Sequence, residues 1–178
     1  FVVGSTVTGP LLGNVAEAFI WSAAAGYTIL PEFLHPSTDP GTGAAAVSAD
    51  GRVIVGSTVA NAQSGFPGFA LRWVDGVPES LGSLPGYTRF SAFDVSEGGD
   101  VIVGEAEVFS EPDRPFVWTQ SEGMQFVDDY FGSFGITLPG AVSTITDMSP
   151  DGQSFSVTFA GLSGSYIVTV PGPASALV

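Results

Sequence analysis

The sequence predicts an all-β fold built from tandem four-stranded antiparallel units, arranged as a propeller-like open arc or as stacked small sheets. Three observations predict it. The apolar residues lean toward Val, Ile, Phe and Trp, and 24 glycines and 13 prolines among 178 residues cut them into short runs. Such punctuation belongs to short strands joined by tight turns. Three tryptophans then close similar tetrapeptides, AFIW at Ala18–Trp21, ALRW at Ala70–Trp73 and PFVW at Pro115–Trp118, at spacings of 52 and 45 residues. A second landmark recurs at VSADG (Val47–Gly51), VSEGGD (Val95–Asp100) and MSPDG (Met148–Gly152), its serines 48 and 53 residues apart. Fixed elements with variable loops between them are the mark of a repeat.

Taken in order, the first unit (18–58) has strands at Ala18–Ser22, Tyr27–Leu30, Gly43–Ser48 and Arg52–Thr58. Asp50-Gly51 between the last two signals a hairpin, because glycine tolerates the positive φ of such turns. The second unit (69–106) repeats this at Phe69–Trp73, Glu79–Leu81, Phe90–Val95 and Asp100–Ala106. The third (115–159) gives Pro115–Thr119, Met124–Val127, Ala141–Met148 and Gln153–Phe159. Two fragments remain. FVVGST (1–6) repeats the last strand of the first unit, since Val3-Gly4-Ser5-Thr6 recurs as Val55-Gly56-Ser57-Thr58, and SYIVTV (165–170) resembles a first strand. Four strands in about 45–50 residues is the arithmetic of a propeller blade, but closure typically takes at least about four blades. Residues 1–170 therefore read as one repeat-built β domain with a lone strand at each end.

Composition narrows the function. Four basic against eighteen acidic side chains give a net charge of −14, which denies the chain a basic footprint for nucleic acid or an anionic membrane surface. There is no cysteine, which removes disulfides and thiolate chemistry. No apolar run reaches the length of a membrane span. With no initiator Met and no signal peptide, Phe1 reads as the first residue of a processed chain.

At AFIW, SLGSLPG (Ser80–Gly86) and DGRVIVGST (Asp50–Thr58) the chain resembles the bacterial extracellular HAF-repeat family. In that family A-F-x-W, L-G-x-L-x-G, a small-residue strand and D-G-x-V-V-G follow one another. The likeness runs from Phe1 to about Val170. The third unit departs from it, lacking L-G-x-L-x-G and replacing VVG by SFSVTF (154–159). The tail VPGPASALV (170–178) is similar to the start of a PEP-CTERM sorting signal, with Gly172 in place of the usual Glu, so 171–178 reads as the remnant of a sorting segment. These resemblances imply an exported, propeller-like protein at the surface of, or outside, a Gram-negative-type bacterium. They carry over no catalytic residue.

The residues themselves offer little catalysis. His35 is the sole histidine, no G-x-S-x-G elbow accompanies it, and a zinc site would have only carboxylates as further ligands. Asp128-Asp129 and the group Glu105, Glu107, Glu111 and Asp113 read as solvated acidic loops rather than the paired acids of a glycosidase. No cofactor is expected. Calcium is the one ion acidic loops of this kind suit, with no position to name for it. Trp21, Trp73 and Trp118 read as one core position repeated three times, not as a sugar-stacking platform.

The ends give the functional expectation. FVVGSTVTG carries neither charge nor proline, the devices that normally blunt a strand edge. The expected assembly residues are Phe1, Val2 and Val3 at one end and Tyr166, Ile167 and Val168 at the other. A strand donated to the next subunit makes a heterologous contact, which propagates. The expectation is a non-enzymatic extracellular structural protein, a head-to-tail homopolymer forming a cell-surface or biofilm-matrix filament. Deleting Phe1–Thr6 should then abolish assembly and leave the body folded. The rival is a monomeric propeller-like module that binds carbohydrate or a surface polysaccharide.

Overall fold

A computed structural model describes residues 1–8, 15–34, 41–58, 67–109 and 111–172, and these form fourteen strands and one short helix. The strands group in chain order into four antiparallel sheets. The first holds β1 (Val2–Thr8), β2 (Val15–Ser22) and β3 (Gly26–Ile29). The second holds β4 (Thr42–Val47), β5 (Val53–Thr58), β6 (Ala70–Val74) and β7 (Val77–Ser80). The third holds β8 (Arg89–Val95), β9 (Val101–Val108), β10 (Glu111–Thr119) and β11 (Gly123–Phe126). Helix α1 (Val127–Ser133) follows, and then the fourth sheet, β12 (Val142–Met148), β13 (Ser154–Phe159) and β14 (Tyr166–Thr169). Within each sheet, neighbours in space are neighbours in sequence.

All the expected strands are present, but their grouping is corrected. The expected unit 18–58 straddles two sheets: β2 and β3 finish the first, and β4 and β5 open the second. Units 69–106 and 115–159 straddle in the same way. Tight turns fix the pairs β4–β5 and β6–β7. In the first cycle the other two connections, β3–β4 and β5–β6, are both long, so turn chemistry there does not reveal which of them leaves the sheet; only the short link between β9 and β10 marks a pair that stays together. The lone-strand reading is corrected with it. β1 pairs with β2 from Val2↔Trp21 to Thr8↔Val15, and β14 pairs with β13 from Tyr166↔Val157 to Thr169↔Ser154.

Three apolar layers hold the sheets together. Alternate residues of a strand point to opposite faces, and here each face meets a different neighbour. Between the first and second sheets lie Ala18, Leu30, Ile54, Leu71 and Trp73. Between the second and third, Val55 and Ala70 meet Ile102, Phe116 and Trp118. Between the third and fourth, Val103 and Val117 meet Phe155, Val157 and Val168, with Tyr130 and Phe131 of α1. Among the described residues no such layer joins the fourth sheet back to the first, so the stack is an open arc.

The recurrent motifs have local causes. The landmark serine is the hub of each hairpin turn: Val53 N–H donates to Ser48 Oγ (3.0 Å), Val101 N–H to Ser96 Oγ (3.1 Å) and Ser154 N–H to Ser149 Oγ (2.9 Å). The turns also link successive sheets, Ala49 N–H donating to Glu97 O (3.1 Å) and Glu97 N–H to Pro150 O (2.8 Å). The glycine of the V-G strands makes room across the pair. Gly104 lies opposite Phe116, whose ring packs against it, and Gly4 lies opposite Phe19, whose ring would sit 3.1 Å from an added Cβ. An aromatic covering a cross-strand glycine stabilises a sheet. In the fourth sheet Val157 stands opposite Tyr166 instead, and the Tyr166 ring turns to Phe159, centroids 5.1 Å apart.

Candidate functional site

The two outer sides of the arc differ in chemistry. On β2, Ala18 and Ile20 face the second sheet, so Phe19 and Trp21 face outward. Cross-strand pairing puts Val2 and Tyr27 beside Trp21, and Ile29 beside Phe19, on that same side. The result is a contiguous apolar surface in which Val2 is 55%, Trp21 44% and Tyr27 52% exposed. Phe19 and Tyr27 stack with centroids 4.8 Å apart, which presents them as one unit. Monomeric proteins rarely leave a concentrated apolar patch of this kind without a use for it.

The outer side of the fourth sheet is polar. Phe155, Val157 and Phe159 of β13 point inward, which leaves Ser154, Ser156 and Thr158 outward. Their hydroxyls are tied across the strands: Ser156 to Thr146 at 2.9 Å, Thr158 to Thr144 at 2.8 Å and Ser154 to Thr169 at 3.1 Å. Ile167, 69% exposed, is the large apolar residue on this side. In repeat stacks a polar outer face keeps that face from associating. The fourth sheet has that character and the first does not.

The tryptophan position makes the contrast explicit. Trp73 is fully buried against the first sheet, its Nε1–H donating to Pro31 O at 2.8 Å. Trp118 is buried against the second sheet, with the Arg72 guanidinium 4.2 Å above its ring, a cation–π contact. In each case the indole faces the preceding sheet. Among the described residues no sheet covers that side of Trp21, so the expectation of three equivalent core tryptophans is corrected: Trp73 and Trp118 are core, and Trp21 is 44% exposed. Val168 takes the same register in the fourth sheet and is buried against the third.

The residues expected to drive assembly thus divide. Val2 and Ile167 are exposed, Val3 packs into the first layer, and Val168 is core. Phe1 is largely exposed while its ring lies over Gly51 of the second sheet, and Tyr166 is held against Phe159. β1 and β14 belong to opposite ends of the arc, and among the described residues each lies at an edge of its sheet. Phe19, Tyr27 and Ile29 complete the outward face and escape a reading that follows terminal strands alone. The clue to them lies in the alternation of AFIW and GYTI.

The other candidates take structural places. Asp128 Oδ1 accepts from Val142 N–H (3.1 Å) and its Oδ2 from Arg114 (3.3 Å), so it ties α1 to β12 and β10. Glu107 lies 4.0 Å from Arg89, and Glu105 has its carboxyl pushed up by burial first and then by Asp113 and Glu107. Asp50 is held below the usual carboxylate range by the Arg52 N–H and then the Ser48 hydroxyl, both within its own turn. Among the described residues no three potential metal ligands come together, and no helix is long and apolar enough to cross a membrane. His35 and residues 173–178 of the sorting-like tail lie outside the described residues.

No protein-family model and no curated protein sequence matches the chain. Among solved structures it is similar to TolB from Acinetobacter baumannii, with a TM-score of 0.53 and 10% identity, over 93% of this chain and 38% of that one. The chain thus spans less than half the length of that neighbour. At this identity the likeness concerns the fold alone, and that fold is all-β and propeller-like.

Proposed function

We propose that the chain is a structural subunit of an extracellular assembly, with no catalytic role, and that it meets its neighbour through the outer side of the first sheet. The observation that carries this is the tryptophan position, buried against a preceding sheet in the second and third sheets and 44% exposed in the first. The internal layers show what covers such a side: another sheet presenting apolar residues. The fourth sheet presents hydroxyls there, and burying them against Trp21 would be unfavourable. The matching surface is therefore the first sheet of a second copy, in a self-complementary contact. The extracellular address rests on the repeat order and the sorting-like tail.

A filament needs a second contact, and the open edge of β14 supports one. Its four residues, YIVT, include no charge and no proline, and among the described residues no strand pairs with its outer edge, so that edge is suited to pairing with another. Two self-complementary contacts at opposite ends of one subunit propagate a chain of subunits. Strand addition at that edge replaces the expected donation of β1, which is already paired with β2. The test is the oligomeric state of the intact chain against that of Trp21→Ser. Self-association that disappears in the variant while the fold persists is the expected result, and a monomeric wild type refutes the proposal.

A further inference from the structure

The third sequence unit departs from the repeat where L-G-x-L-x-G should stand, and α1 occupies that place. The consequence is a difference between two equivalent inter-sheet spaces. Between the second and third sheets the space is about 200 Å³, and Arg52 at its edge is bonded to Asp75 at 2.8 and 2.7 Å. Between the third and fourth it opens to about 560 Å³, within the range of small-molecule sites. In the third sheet the positions of Arg52 and Asp75 are taken by Asp100 and Gln120, since Val101 pairs with Thr119 as Val53 pairs with Val74, and neither lines the larger space. The ion pair is gone, and α1 sets Tyr130 and Phe134 along the wall.

The lining has a consistent chemistry. Gln125, Gln153, Glu122 and Tyr130 line the cavity, and their side-chain polar groups have no hydrogen-bond partner among the described residues. Tyr130 and Phe134 stand edge to face, centroids 5.2 Å apart, a ring surface suited to the C–H face of a sugar. None of the chain's four basic residues lines the cavity, while Glu122 and Asp151 do. An anionic ligand would meet two carboxylates and no counter-charge. Amides, a carboxylate and a phenol around an aromatic wall match a neutral ligand rich in hydroxyls.

We propose that this cavity binds the end of a neutral oligosaccharide. It lies between the third and fourth sheets, away from the outer side of the first sheet that Trp21→Ser tests, so the two readings fail separately. The experiment titrates the intact chain with gluco-, galacto- and manno-configured oligosaccharides and, as anionic control, polygalacturonate, followed by calorimetry and by saturation-transfer NMR. At least one neutral oligosaccharide should bind and polygalacturonate should not. Gln125→Ala and Phe134→Ala should each weaken that binding about tenfold or more, with little change in melting temperature for Gln125→Ala, whose half-buried amide makes no side-chain hydrogen bond among the described residues. Tyr130→Phe, which keeps the packing, should also weaken it, and Trp21→Ser should leave it intact. No binding up to about 10 mM, preferential binding of polygalacturonate, or binding indifferent to all three cavity variants would overturn the assignment.

Discussion

Trp21 and Trp73 hold the same register in consecutive sheets, and their truncation should have opposite consequences. Trp73 is completely buried and donates its indole N–H to Pro31 O, so Trp73→Ala should cost about 3–5 kcal/mol, a large part of the roughly 5–15 kcal/mol that holds a domain together. Trp21 is 44% exposed, so of a side-chain surface of roughly 250 Å² about 110 Å² is free to be covered by a partner. At about 25 cal/mol per Å² this is about 3 kcal/mol for each tryptophan. A self-complementary contact buries two of them, so Trp21→Ser should weaken association roughly 10³- to 10⁴-fold at about 1.4 kcal/mol per decade. Urea melts read stability and sedimentation equilibrium reads association, on wild type and both variants. Trp21→Ser that unfolds as readily as Trp73→Ala would mean that the indole is already covered within one chain. Undiminished association at full stability would remove this side from the contact.

The glycines and the carboxylates give two further predictions. Gly104→Ala places a Cβ against Ser91 O and the Phe116 ring, and Gly56→Ala against Gly43 O; backbone cannot yield there, so each should lower stability by about 2 kcal/mol or more by denaturant titration, whereas Gly123→Ala, with open space around it but φ of 73°, should cost about 1 kcal/mol. The pH dependence follows from opposed shifts. Asp94 is raised, by burial first and then also by Asp147, so the folded chain holds its proton more tightly and stability falls as pH climbs through the window just above the ordinary carboxylate range. Asp50, Asp75 and Asp151 are lowered, so their contribution is present above that range and disappears below it. The melting temperature should therefore peak on the acid side of neutral, and Asp94→Asn should flatten the alkaline limb of that peak.

Sequence made the strands legible because alternation and turn chemistry are local. Asp50-Gly51 and Asp151-Gly152 mark hairpins wherever they stand, and AFIW, ALRW and PFVW alternate as strands should. Sheet phase was not legible. A repeat read from its tryptophan begins two strands into a sheet, and nothing local separates the β5–β6 connection, which stays in its sheet, from β3–β4, which leaves. Helix α1 was hidden for another reason. Its seven residues, VDDYFGS, are too few to show helical period, and Val127, Tyr130 and Phe131 are fixed by packing on the fourth sheet. The cavity depends on that packing, so it lay beyond sequence reasoning. The surface tryptophan was missed because identical residues at identical repeat positions differ only in whether a sheet among the described residues covers them.

Sheet phase also reverses what removal of the N-terminal strand should do. If FVVGST were a spare strand awaiting another subunit, its deletion would leave the body intact. The structure instead makes β1 the partner of β2 across seven residue pairs, with Val3 in the first layer and the Phe1 ring over Gly51. Without it the first sheet is reduced to the β2–β3 hairpin, and two-stranded hairpins are at best marginal in water. Trp73 and Leu71 pack against that sheet, so the loss should spread to the second sheet. The third and fourth, joined by their own layer, should hold. Hydrogen exchange of a chain lacking residues 1–8 should show lost protection in β2 and β3, weakened protection in β6 and native protection in β9, β10 and β13. Native protection of β2 and β3 would mean that β1 is dispensable to its own sheet, and would restore it as a strand free for exchange.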